Sequence, residues 1–222
     1  MQNPGTAQLD VYSDVICPWC YIGKRHMQVA LGQLAADGHA FQVGWRPFQL
    51  NPDMPPEGVS RDEYRQAKFG SLERSRELDA QVSSAAAAAG LQIRFDRMHR
   101  TPNTLDAHRL IQFAAEHRRQ DEIVDGLFAA YFVEGRDIGD RATLTDIAAS
   151  AGLDPAVVAA FLDADRLAAE IQAEDAAVRA AGLTGVPTFV LERHVLFSGA
   201  VPPDAFAEAL LKAQRVIANE AA

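Results

Sequence analysis

Two cysteines are all that this chain of 222 residues contains, and they stand three positions apart as Cys17 and Cys20. No disulfide can therefore join distant segments, and one closing so short a loop would restrict the unfolded chain little. Positive charge is also scarce. Lys and Arg number 21 against 30 Asp and Glu, a formal net charge of −9, which argues against binding a nucleic-acid backbone. No apolar run approaches the ~20 residues a membrane-spanning helix needs, so no membrane association is expected. The first eight residues, Met1 to Gln8, lack the basic end and apolar centre of a secretory signal and read as a polar lead-in to a strand. The cytosol is the expected compartment, and there an idle disulfide tends to be reduced. With no second cysteine pair, a four-ligand zinc site is only half supplied. His108 and His117 do not complete it, because residues nine apart face opposite sides of a continuous helix.

What is present is ordinary globular material, 48% hydrophobic and 23% charged, enough for a buried core. Leu9-Asp10-Val11-Tyr12 alternates and stops at Ser13-Asp14, as a strand feeding a turn does. Pro18 suits the first turn of a helix, which Tyr21, Met27, Leu31 and Leu34 continue until Asp37-Gly38. Phe41 to Arg46 alternates again and ends at Pro47, giving β-α-β. Residues 51–58 are rich in Pro and Gly and mark a boundary. Helical patterns then run for over a hundred residues, with Ser60 and Glu63 spaced as a capping box and Asp154-Pro155 as a further helix start. Gly70, Gly90, Gly135, Gly152 and Gly182 stand where helices could end, and Ser83-Ser84 with five following alanines fits a helix packed closely on a neighbour. Residues 186–191 and 195–197, flanking Glu192-Arg193-His194, read as a hairpin, and a last helix runs from about Pro203 to Asn219. The fold class is α/β: a thioredoxin fold (β-α-β … β-β-α) of residues 1–58 and 183–222, interrupted by a helical insertion domain of residues 59–182.

The chemistry concentrates on Cys17-Pro18-Trp19-Cys20. Positions three apart on a helix are neighbours, so both sulfurs can come within disulfide range. A thiolate at Cys17 would face the unpaired N–H groups and positive dipole end of the helix, which stabilise negative charge there. Cys17 is then the nucleophile toward a substrate disulfide, and Cys20 resolves the mixed disulfide. A zinc half-site and two incidental core thiols are the competing readings of the same pair. Gly185-Val186-Pro187-Thr188 is a second signal. Proline at a strand start removes a ladder donor, and a cis Val186–Pro187 bond would leave backbone groups free to pair with an extended substrate beside Cys17.

Residues 13–23, residues 101–109 (Thr101-Pro102-Asn103-Thr104-Leu105-Asp106-Ala107-His108-Arg109) and residues 185–189 together resemble the DsbA-family thiol-disulfide oxidoreductases of the FrnE-like group. The resemblance runs from about Leu9 to Ala218. It implies cytosolic dithiol oxidoreductase or disulfide isomerase activity on protein or small thiol substrates, a cis proline at Pro187 and an insertion covering the active site. No cofactor is required on this reading, and glutathione is a candidate redox partner. The C-terminal cysteine pair of some relatives is missing. Glutathione-dependent enzymes such as 2-hydroxychromene-2-carboxylate isomerase and kappa-class glutathione transferase share the insertion and proline loop, but typically place Ser where Cys17 stands. A peptide-binding holdase is the non-enzymatic alternative.

Other residues carry two readings each. Asp14 either moves protons during exchange or caps the helix beginning near Cys17. Trp19 either shapes a peptide groove or packs partly buried. By resemblance Asn103 and His108 line the cleft; otherwise Asn103 is an N-cap, assisted by Asp106, and His108 a surface or packing residue. Val186 and Pro187 are expected to face the substrate, with Thr188 and Pro18 in supporting places. Lys24, Arg25 and His26 are expected on a solvated helix face.

Overall fold

The computed structural model describes residues 6–220; the lead-in expected of Met1 to Gly5 lies outside them. Alternation turns Leu9, Val11 and Ser13 to the buried side of β1 (Ala7–Ser13). The chain enters α1 (Pro18–Ala36) with Pro18 at its first position, where a missing N–H costs nothing, and leaves it at Asp37 and the left-handed Gly38. β2 (Phe41–Pro47) lies parallel to β1 with Val43 beside Leu9 and Trp45 beside Val11.

The segment before the next sheet strand is helical. It holds a two-residue strand β3 (Val59–Ser60), α2 (Arg61–Phe69), α3 (Leu72–Ala88), a matching strand β4 (Arg100–Thr101), α4 (Leu105–Glu116), α5 (Gln120–Phe128), α6 (Arg141–Ser150), α7 (Pro155–Asp163) and α8 (Ala168–Ala180). A π-helical turn, Ala129–Glu134, extends α5. Gly70, Gly90, Gly135, Gly152 and Gly182 all adopt positive φ just beyond helical segments. Asp154 accepts the Ala156 N–H at 2.8 Å and starts α7. Ser60 departs from expectation: its side chain makes no capping bond, and its backbone is paired with Arg100 in the β3–β4 ribbon. The alanine-rich end of α3 packs as its composition suggests, with Val82 and Ala86 closing on Ile22 of α1.

β5 (Thr188–Leu191) then returns antiparallel to β1, and β6 (His194–Ser198) pairs with β5, giving the order β2-β1-β5-β6. The hairpin turn uses Glu192 and Arg193, both at positive φ. On one face Leu9 meets Leu191 and Val11 meets Phe189. α9 (Pro203–Glu220) lies against α1, and its Phe206 stacks edge-on to Phe189 at 4.6 Å. The apolar cluster continues without a break from this sheet into Leu110, Leu127, Phe128 and Leu144 of the helical segment.

Polar contacts fasten the two parts. Lys24 is a correction to the solvated-face expectation. Arg25 is exposed, but Lys24 is buried, with Nζ 2.7 Å from Asp121 and 3.1 Å from Asp125 of α5 and 5.3 Å from the Trp45 ring centre. His26 is half-buried, its Nδ1 2.8 Å from the Val201 carbonyl. Burial raises the Asp125 carboxyl, and the Lys24 charge pulls it partly back. β2 is an edge strand, and side chains serve as its neighbour at Trp45. The Gln120 amide accepts the Trp45 N–H at 2.9 Å, while Gln120 and Gln112 donate to its carbonyl at 3.0 and 3.2 Å. Farther on, Asp175 of α8 accepts the Gln49 N–H at 2.8 Å and Arg179 donates to the Gln49 carbonyl. No helix among the described residues is long and apolar enough to cross a membrane.

Candidate active site

Cys17 is the N-cap of α1, in extended conformation, and Pro18 follows as the first helical residue. The Cys20 N–H already bonds the Cys17 carbonyl at 3.0 Å, which closes the first turn and brings the second cysteine beneath the first. Both thiols are buried and not joined by a disulfide, Cys17 at 5% exposure and Cys20 at 1%. Cys20 is held well above the ordinary thiol range, first by burial, then by its hydrogen bond toward Cys17 and the charge of that neighbour. The Ser13 hydroxyl and the Asp14 backbone oppose this. Burial thus favours the protonated form of the inner thiol.

Opposite the outer sulfur stands the loop before β5. The Cys17 thiol donates to the Val186 carbonyl across 3.7 Å, and the Val186–Pro187 peptide is cis. Thr188 anchors the loop from below. Its hydroxyl donates to the Gly185 carbonyl at 2.8 Å and lies 2.6 Å from the Ser198 hydroxyl. A hydroxyl has one hydrogen, so Ser198 is the donor in the second bond. Trp19, next to the cysteines in the chain, is 43% exposed.

Asp14 does not cap α1. Its wholly buried carboxylate accepts the Leu50 N–H at 2.7 Å through Oδ2, while Oδ1 lies 3.5 Å from the Ile16 nitrogen and 3.5 Å from His108 Nε2. It thus fastens the loop after β2 to the cysteine turn. His108, on α4, is buried and faces Asp14 rather than solvent; the second motif accordingly reaches the site from behind, through the carboxylate. Asn103 sits one residue before the cap of α4. Its Oδ1 accepts the Leu105 N–H at 2.8 Å and its Nδ2 donates to the Met54 carbonyl at 2.6 Å, so it ties two loops together. The structure brings Cys17, Cys20, Val186 and Pro187 to one place with Asp14 and His108 behind them.

Two residues escaped the sequence reading. Ser13 continues the inward-facing series of Leu9 and Val11, and a hydroxyl at the last apolar position before two cysteines was the available signal. Arg109 is almost wholly buried. Its guanidinium donates to the carbonyls of Phe161, Leu162, Ala164 and Arg166 and meets Asp106 at 2.5 Å, closing the end of α7. A basic residue in an amphipathic helix gives no sign of a partner fifty residues away.

The family model described as a DSBA-like thioredoxin domain matches residues 8–211. The protein YwbO of Bacillus subtilis (strain 168) is 30% identical over 212 residues, covering 95% of this chain and 98% of that protein. A probable DsbA oxidoreductase from Streptomyces coelicolor superposes with a TM-score of 0.85 at 33% identity, covering 94% of this chain and 90% of that one. The cytosolic disulfide reductase DsbM from Pseudomonas aeruginosa, solved with glutathione, shares the fold with a TM-score of 0.66 at 19% identity, covering 94% and 99% of the two chains.

Proposed function

The chain belongs to the DSBA-like thioredoxin domain family, and from that premise we propose that it is a cytosolic thiol-disulfide oxidoreductase or disulfide isomerase acting on protein or small thiol substrates. One observation carries the reading: Cys17 sits at a helix start, 3.7 Å from the Val186 carbonyl, with the buried thiol of Cys20 one turn behind it. In the reducing direction the Cys17 thiolate attacks one sulfur of a substrate disulfide, and the other sulfur leaves as a thiolate. Cys20 then loses its proton and attacks Cys17. The mixed disulfide breaks, the substrate departs with two electrons and the Cys17–Cys20 bond remains. The same steps reversed oxidise a dithiol.

The dithiol favours exchange over the glutathione-holding alternative, in which a serine takes the place of Cys17. It equally favours exchange over a holdase, which has no use for paired sulfurs. Glutathione is proposed as a redox partner rather than a resident cofactor, in line with the glutathione-bound DsbM relative. The cytosolic location is supported by that relative as well, and placement in the FrnE-like group by the order of the three motifs. Residues 59–182 are proposed as a helical domain inserted in a thioredoxin-like one, because α2 to α8 all fall between β2 and β5.

The test is trapping. Cys17→Ser should abolish reduction of an insulin disulfide, while Cys20→Ser should accumulate a covalent mixed disulfide at Cys17. Turnover by the Cys17→Ser protein at the parental rate would refute the assignment. A glutathione titration of the Cys17–Cys20 pair then fixes its direction of use.

A further inference from the structure

Gly23 lies one helical turn beyond Cys20 in the interior of α1, and it is buried. Its backbone is helical, so nothing in its conformation calls for glycine, and alanine would favour the helix. What excludes a side chain is the loop opposite. A Cβ on Gly23 would stand 2.8 Å from Pro187 Cγ, 3.6 Å from Pro187 Cβ and 3.5 Å from Phe189 Cζ. The first value is well inside the ~3.5 to 4.0 Å of carbon–carbon contact. Neither side can yield freely: α1 is pinned by α9 and by the Lys24 pair, and Pro187 continues directly into β5. The helix carrying both sulfurs and the loop carrying the Val186 carbonyl therefore meet through the Pro187 ring, with no side chain on the α1 side.

We propose that Gly23 is a positioning residue: by letting Pro187 rest on α1 it sets the gap between the Cys17 sulfur and the Val186 backbone, and so favours disulfides embedded in extended peptide. The inference rests on the disulfide exchange proposed above for Cys17. A disulfide within a polypeptide must satisfy two conditions at once, its backbone paired at Val186 and its sulfur aligned with Cys17. A small disulfide without peptide backbone needs only access to the sulfur. Widening the gap breaks the first requirement and largely spares the second.

The experiment measures single-turnover exchange of the wild type, Gly23→Ala, Pro187→Ala and the double variant. The probes are a disulfide-linked peptide and a small aromatic disulfide, 5,5′-dithiobis(2-nitrobenzoate). A displacement approaching 1 Å can cost about 100-fold, so Gly23→Ala should slow the peptide by at least about 10-fold and the small disulfide by no more than about threefold. Pro187→Ala removes the clashing Cγ, so adding Gly23→Ala to it should cost less than about twofold more. A wild type that exchanges neither probe removes the proposed function itself. With a competent wild type, equal losses on both probes, an unaffected peptide rate, or additive losses in the double variant would overturn the role of Gly23. Should Gly23→Ala alone fail to fold, recovery in the Pro187→Ala background supports the contact, and failure there as well overturns it.

Discussion

Lys24 Nζ donates to Asp121 Oδ1 across 2.7 Å from a side chain only 1% exposed, while Asp121 and Asp125 remain about half exposed. The lysine has given up its water, whereas each aspartate keeps about half of its exposure. Removing the charge by Lys24→Met keeps the stem over Trp45 and leaves two solvated carboxylates. Removing both acceptors by Asp121→Asn with Asp125→Asn strands a buried ammonium. The aspartate pair of changes is expected to cost about 2 to 3 kcal/mol, below the range for a wholly buried pair, and Lys24→Met clearly less. Urea denaturation of the three proteins decides the order, and a larger loss in Lys24→Met would contradict it.

The elevated Cys20 thiol gives a pH dependence with a defined sign. Its proton is bound more tightly in the folded than in the unfolded chain, first because the sulfur is buried. That contribution to stability is complete below the ordinary thiol value of about 8.5 and is lost as pH rises beyond it. The stability of the reduced protein, minus that of Cys20→Ser, should therefore fall over the alkaline interval that starts at about pH 8.5. Release of substrate from the mixed disulfide should speed up with pH over the same interval, since Cys20 must ionise to attack. A stability difference independent of pH would show that Cys20 titrates alike in both states.

Arg109→Met should be among the most damaging single changes outside the site. It withdraws donors from the carbonyls of Phe161, Leu162, Ala164 and Arg166 and leaves them without those partners inside the protein. A loss of more than about 3 kcal/mol is expected. Arg109→Lys should restore little, because one ammonium cannot reproduce the fork. Thermal unfolding monitored by circular dichroism is sufficient to test both.

Trp19→Ala should behave oppositely. The ring is 43% exposed, so stability should move by less than about 1 kcal/mol. If the indole grips the substrate chain, KM for a peptide disulfide should rise about three- to tenfold with kcat little altered. An unaltered KM would leave Trp19 without a part in binding.

The elements that sequence made legible were those governed by local rules. Alternation marked β1 and β2, Pro18 marked the start of α1, and glycines marked helix ends. The cysteine spacing and Pro187 pointed to the chemistry proposed above without coordinates. What stayed hidden depends on partners distant in the chain. Lys24 looked solvated because its acceptors lie almost a hundred residues later. Asp14 looked like a cap because a carboxylate before a helix usually is one, whereas the Leu50 N–H from the loop after β2 claims it. The β3–β4 ribbon, two residues a side, is too short for any period to declare itself.

The amides of Gln112 and Gln120 at the margin of β2 bear on how the protein meets other extended chains. Unfolded polypeptides seek open strand margins and add to them, the first step toward fibrils. At Trp45 both backbone groups are already engaged by glutamines, and at Gln49 by Asp175 and Arg179. At those two positions an extended chain finds no template. This side of the sheet is thereby closed to strand addition at Trp45 and Gln49, and any extended polypeptide engaged by the proposed exchange has to pair elsewhere.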